Sequence, residues 1–384
     1  MDRKKKICIL LNLDEGLERN SGIYTGVEEY VNKHTDWTLN WNHYPEIYLS
    51  KCKVGEQPFY DGIIGRISEA AYEHAQRLSI PMVNVMMKTN FKEIPASFQD
   101  FKSIGRMSAE HMLSRGFKRF IHIDPNDPAG IDFLEGVKEV LSPLGYDIKS
   151  YRYNNNCGLT SKAWERQMAT FSSWKEEWEF PLAVLNSQPY PPLVSYFLEN
   201  NIRIPEDIAM IAGRDEKAYC ESIKPHLTAI DGNTSGIGYK AAKLLDQIFK
   251  GEPITKSPVY TTPGDIIIRE STDTYATGDQ VVKEALRFIS KNILSVIEVG
   301  HVVDDSGLSR SNLEKRFRSA VGHTIKDEID TLRVISAKRL LSDRKAKIYS
   351  VHKSAGFSSA LHMRRVFMKI INMTPGDYRR SLNN

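Results

Sequence analysis

The side chains with the strongest claim to chemistry lie in the last quarter of the chain. Arg310, Ser311, Asn312, Lys315 and Arg318 fall within one turn-and-helix pattern, and Ser358, His362, Arg365 and Lys369 fall at matching places in a second. Guanidinium, ammonium, amide and hydroxyl groups are what meets phosphate oxygens and base edges in duplex DNA. Gly307 and Gly356 each supply a turn, a serine then opens a helix, and Leu313/Phe317 or Met363/Phe367, four apart, pin that helix inward. Seating those pairs turns Ser311, Asn312, Lys315 and Arg318 outward in the first helix and Leu361, His362, Arg365 and Lys369 outward in the second. For any one of these residues, plain solvation of the helix is an equal reading. Turn, cap and core spacings that coincide twice argue for a pair of reading helices.

His352 and His362 lie near basic residues with no carboxylate or cysteine at ligand spacing, so no metal is expected there. Cys8, Cys52, Cys157 and Cys220 show no C-x-x-C or Cys/His spacing and read as reduced thiols. No cysteine sits in a Pro-Cys-His context, and neither a catalytic triad nor a phosphate loop is evident, so the expectation is no enzyme, no catalytic residues and no cofactor.

The elements that must carry these residues form two unequal parts. Residues 279–384 hold 20 Lys/Arg against 11 Asp/Glu, whereas the remainder holds 32 against 37. A basic part meeting phosphates, carried by a mildly acidic body, fits that split. In the body, apolar strand-like runs (Ile7 to Leu13, Gly62 to Ile67, Pro81 to Met86, Arg119 to Ile123, Leu182 to Leu185, Ile208 to Ala212) alternate with helical stretches. That alternation predicts α/β layering, parallel sheets with helices on both faces, and ligands at the carboxyl ends of the strands. Residues 258–272 read as a last returning strand, and 273–279 as a polar, small-residue linker between a domain at 1–272 and an all-α domain at 280–384. Within the latter, a long helix from about Ile325 to Leu341 joins the two turn motifs. No apolar run approaches bilayer length, and the basic start leads into a strand without a cleavage site, so the expected location is the cytoplasm, with no membrane partner.

Ile297 to Leu341 and Ile348 to Arg379 resemble the double helix-turn-helix DNA-binding domain of the AraC/XylS transcription regulators. The closing segment Phe367 to Arg379, with Pro375 after a tight turn and Tyr378-Arg379 in the last helix, resembles that family's signature. Three positions depart from it: Asn372 replaces a glycine, His352 stands where a small residue normally packs, and Met363 replaces an aromatic. Residues 7–272 resemble the two-lobed, periplasmic-binding-protein-like sensor of LacI/GalR repressors. The supporting segments include Asp61 to Gly65, Ile204 to Ile208, Pro225 to Thr228 and Ile267 to Thr272. A sensor followed by a reading head is most similar to the xylose operon regulator subgroup.

The resemblance implies a small-molecule effector in an interlobe cleft, a pentose such as xylose or a sugar acid, and a homodimer on double-stranded promoter half-sites. It places Asn186 on sugar hydroxyls, and Asn12, Asn20 and Asp124 at cleft positions. Arg214 stands where such sensors hold an aspartate, and Asp215 matches the second acidic residue. A guanidinium has donors only, so Arg214 favours a carboxylate or phosphate, unless it merely pairs with Asp215, Glu216 or the other lobe. Trp37, Trp41, Trp164 and Tyr190 could stack on a sugar ring but are more often core. Two other classes remain at this stage: a solute-binding protein with an acquired tail, and a DNA-repair methyl acceptor fused to a similar head.

Overall fold

The computed structural model describes residues 3–12, 18–87, 91, 93–124, 127–152, 160–342 and 347–381. In the first lobe, β1 (Lys6–Leu10), β2 (Thr38–Trp41), β3 (Gly62–Gly65) and β4 (Met82–Asn84) form a parallel sheet in the order β2-β1-β3-β4, and a bridge from Asn84 to Ala96 leads to β5 (Ser97–Gln99). The second lobe holds β6 (Phe120–Asp124), β7 (Ile148–Arg152), β8 (Leu182–Asn186), β9 (Ile208–Ala212) and β10 (Thr228–Ile230). β8 and β9 are buried at every position, as strands covered on both faces must be, and their unbroken apolar runs reflect that.

The segment expected to be one returning strand is two. β11 (Val259–Thr261) pairs parallel with β5 in the first lobe, and β12 (Ile266–Ile267) runs antiparallel to β10 in the second. Pro263 and Gly264 interrupt the run where the chain changes lobes. The first strand ends at Leu10, short of the expected Leu13, which lies outside the described residues, as does Cys157.

The chain thus crosses between lobes three times: from β5 into the helix Phe101–Ser114, from β10 into the helix Thr234–Phe249, and from β11 to β12. Helix pairs flank the crossings at very short range. A Cβ on Gly26 would lie 1.8 Å from the Ser235 carbonyl oxygen, and one on Gly136 would lie 1.9 Å from that of Lys102, so neither contact tolerates a side chain.

Residues 272–278 are more firmly held than their linker-like composition predicts. Thr272 is buried against His111 and Thr228, and Tyr275 enters the first core of the head. The head divides about its central helix, Ile325–Ser342. Ile325, Ile329 and Leu332 pack with Leu286, Ile289, Leu313 and Phe317, whereas Val334, Ala337 and Leu341 pack with Val351, Met363, Phe367 and Tyr378. Sensor and head meet at a buried polar knot: Glu328 accepts from the Tyr275 hydroxyl at 2.6 Å, contacts His323 Nε2 at 2.7 Å, and faces Arg115 of the second lobe at 3.7 Å. Among the described residues, no helix is long and apolar enough to cross a membrane.

Candidate functional site

Both turns form as expected, but the serine cap forms only in the second motif: Ser309 precedes the first helix without a side-chain cap hydrogen bond. Gly307 and Gly356 adopt φ of 65° and 77°, the left-handed conformation that a turn between the two helices requires. Gly356 is further constrained, because a Cβ there would stand 2.1 Å from the Ile293 carbonyl oxygen. The first reading helix runs Arg310–Val321 and the second Ala360–Ile371, the second capped by Ser359 Oγ, which accepts from the His362 N–H at 3.1 Å. Asn372 takes over the family's glycine with φ of 59°, which an asparagine tolerates. Met363 is buried in place of the aromatic, while His352 is only half-buried and turns Nδ1 to the Tyr349 carbonyl at 2.6 Å, leaving the core intact.

Outward groups follow the expected faces. Arg310, Ser311, Asn312, Lys315 and Arg318 are exposed, Arg310 in a surface pair with Glu314 at 2.8 Å. Ser358, Arg365 and Lys369 are exposed, and Lys369 reaches Asp327 at 3.2 Å. His362 is half-buried beside Phe357, its Nδ1 3.1 Å from Ser358 Oγ, and burial lowers its pKa. Arg364, also exposed, adds a cation that the face assignment missed.

Between the sensor lobes, the carboxyl ends of strands from both sheets enclose a cleft of about 360 Å³. Asn12 and Asn20 line it from the first lobe, the Asn20 amide donating to the Asn12 carbonyl at 2.7 Å, and Arg214 lines it from the second. The other expected contacts are otherwise engaged. Asn186 Oδ1 accepts from the Ile123 N–H at 3.1 Å and so ties β8 to β6. Asp124 takes a short hydrogen bond from Ser187, and Asp215 pairs with Arg269 at 2.9 Å, so none of these three lines the cleft wall. Trp37 and Tyr190 are core residues, and Trp41 and Trp164 are exposed and are not among the residues that line it.

Residues not singled out in the sequence complete the wall, Arg19, Arg66, Asp127, Gln188 and Tyr219, together with Glu216, which the sequence offered only as a partner for Arg214. Arg66 follows β3 directly, so the rule that ligands collect at strand ends could have found it; Arg19, one residue before Asn20, carried no such signal. The Arg214 guanidinium donates to Gln188 Oε1 at 3.1 Å and has Glu216 3.5 Å from Nε. Arg19 donates to the Val85 carbonyl at 3.2 Å. Among the described residues, the buried Nε of each arginine has no hydrogen-bond acceptor. Burial first, and then the neighbouring Arg214, pull Arg19 down to about 9, so it stays protonated at neutral pH. Burial raises Glu216, and Arg214 and Arg19 hold that rise in check. A second hollow of about 540 Å³ shares Leu11, Asn12 and Arg66 with this cleft.

Residues 109–272 match the periplasmic binding protein-like domain family, and residues 302–381 match a helix-turn-helix domain family. The chain is 24% identical to the xylose operon regulatory protein of Haemophilus influenzae, with 97% of this chain and 98% of that protein covered. It is 23% identical to the protein of the same name from Escherichia coli K12, over 98% and 97% of the two chains. The solved structure of a xylose-binding transcription activator superposes with a TM-score of 0.60 at 21% identity, covering 99% of this chain and 98% of that one. A periplasmic-binding-protein-like sensor joined to a helix-turn-helix head, in a chain similar over its whole length to operon regulatory proteins, defines a DNA-binding transcription regulator. The curated relatives it resembles from end to end carry the name xylose operon regulatory protein.

Proposed function

We propose that a small sugar-class effector binds between the lobes at Asn12, Asn20 and Arg214, and that the resulting lobe arrangement sets how a homodimer engages repeated promoter half-sites. The sensor comprises residues 1–272 and the head 280–384, joined through 273–279, and the protein works in the cytoplasm. Arg310, Ser311, Asn312, Lys315 and Arg318, with Ser358, His362, Arg365 and Lys369, contact bases and phosphates. The observation that carries this reading is the cleft itself: polar side chains from two lobes converge on a space of small-ligand size, in a chain whose remaining domain presents two exposed basic helices. The names of the relatives, which refer to xylose, support a sugar as the effector class.

For regulation to follow, the effector must bind one lobe arrangement better than the other. A gel-shift titration on duplexes from the promoter neighbourhood, with and without cleft ligands, tests this. A change in DNA affinity or in preferred half-site spacing is expected. No change with any ligand that demonstrably occupies the cleft excludes the reading. Sedimentation of the free and DNA-bound protein tests the dimer.

A further inference from the structure

We infer that the effector is an anion on a polyol frame, a sugar acid or a sugar phosphate, whose charged group bridges Arg19 of the first lobe and Arg214 of the second. The inference rests on the reading of the cleft as the effector site.

Three guanidinium groups, Arg19, Arg66 and Arg214, line one cavity of about 360 Å³. Among the described residues, the carboxylates on the same wall are Asp127 and Glu216. Asp127 is already committed as a helix cap, accepting from the Gly130 N–H at 2.9 Å. The Asp127 charge still acts on both Arg19 and Arg214, and Glu216, at 3.5 Å from Arg214 Nε, adds a loose ion pair and not a hydrogen bond. Glu216 is buried, and its carboxylate also lies close enough to Arg19 for their charges to interact. Among the described residues the wall therefore carries three guanidinium groups against two carboxylates in a partly desolvated space, with one Nε–H on each side of the interlobe boundary unsatisfied.

A neutral pentose cannot relieve this arrangement well. Hydroxyls would accept from the guanidinium groups, but they bring no charge to offset two cations that repel across the cleft. A carboxylate or phosphate brings both, and planar donors suit either group. Asn12, Asn20 and Gln188 then offer amide donors and acceptors for hydroxyls on the same ligand. With Arg19 on one lobe and Arg214 on the other, an anion between them converts repulsion across the boundary into attraction on both sides. It thereby favours the closed arrangement, which is the differential binding a sensor needs. Glu216 performs that service weakly when the cleft is empty, so an effector anion competes with it.

The test uses the full-length protein, with binding followed by calorimetry and thermal shift. The panel holds neutral xylose and ribose, the sugar acids galacturonate and gluconate, a pentose phosphate, and inorganic phosphate as the minimal probe. Acids or sugar phosphates should bind and raise the melting temperature, and the two arms distinguish carboxylate from phosphate. Arg214→Gln and Arg19→Gln should each weaken the bound anion by about tenfold or more, as loss of a charged hydrogen bond does. Glu216→Gln should strengthen it, a change of opposite sign that a merely structural role for this cluster would not give. Failure of every anion on the panel to bind overturns the inference, as does a neutral sugar that binds equally well to wild type and Arg214→Gln. That second result leaves the cleft as the effector site. An anion that fills the cleft without altering DNA affinity upholds the ligand class and removes the regulatory reading instead.

Discussion

The Tyr378 hydroxyl donates to Asp265 Oδ2 at 2.8 Å, and Lys338 Nζ lies 2.6 Å from the same oxygen. Tyr378 and Lys338 belong to the second half of the reading head, whereas Asp265 belongs to the crossover from β11 to β12. Its own carbonyl accepts from the Asp231 N–H at 3.0 Å, in the crossover after β10. Two lobe-to-lobe segments are thus bonded to each other and to the head, and such segments absorb the dihedral changes of lobe closure. Asp265→Ala should therefore reduce the effector-dependent change in DNA affinity, by about 1–3 kcal/mol of coupling if this path carries most of it. Gel shifts with and without effector measure this directly. Unaltered coupling in a variant that binds DNA normally would exclude the path.

Glu328 should prove the most destabilising single loss between sensor and head. It is 3% exposed and serves Tyr275, His323 and Arg115, itself 5% exposed. Burial pushes its carboxyl up, but His323, Arg115 and Tyr275 outweigh that and hold it below the usual range. Glu328→Ala takes one counter-charge from the buried Arg115, leaving it the Asp273 charge and the Tyr275 ring, so a cost of up to about 3–5 kcal/mol is expected in urea unfolding. Double replacement with Arg115→Met should recover much of it. A double variant as unstable as the sum of the singles would mean that the two residues do not act as a pair.

On the reading face, position decides what each cation does. Lys315→Ala and Arg365→Ala should each weaken binding by about 1–3 kcal/mol and relax preference at one base pair if they contact base edges, or lower the salt slope by about one if they contact phosphate. Lys369 is paired with Asp327 on the surface, a contact of little strength that DNA can replace. Affinity measured at several salt concentrations separates these outcomes. A variant of either residue with unchanged affinity and slope would take that residue off the interface.

How much of this was legible in the sequence depends on the range of the interactions involved. Ile208 to Ala212 reads as a buried strand because its environment is uniform, and Asn372 reads as a turn residue because the left-handed backbone admits few residue types. The break inside 258–272 was hidden, since it depends on β11 choosing β5, a partner far back in the chain. The same holds for the cleft. Arg214 was found through the resemblance, with Glu216 offered as its partner, but Arg19 gains meaning only when two lobes bring it to them. Asn186 was rightly seen at the end of a strand, yet no local pattern shows its amide spent on the Ile123 N–H. Tyr275 was lost in a run of small polar residues, though its size is what anchors the connection.

Acid should destabilise the second lobe through two buried imidazoles. His111 is 8% exposed, with Nε2 3.0 Å from Thr272 Oγ1, and burial followed by the Arg115 charge lowers it to about 3. His122 is 2% exposed, and burial lowers it to about 4, against its hydrogen bond to the Leu185 carbonyl. An unfolded histidine titrates near 6.5. Between about 6.5 and 4 the unfolded chain therefore takes up protons that the folded one refuses, and stability is lost as pH falls through that window, while above it the contribution is complete. By about pH 5 each histidine should account for a loss of about 2 kcal/mol relative to neutral pH. Urea unfolding at both pH values, on wild type, His111→Gln and His122→Gln, measures it. Each variant should narrow the gap by roughly one histidine's share, and a gap that stays the same width would show that the imidazole accepts a proton in the folded state.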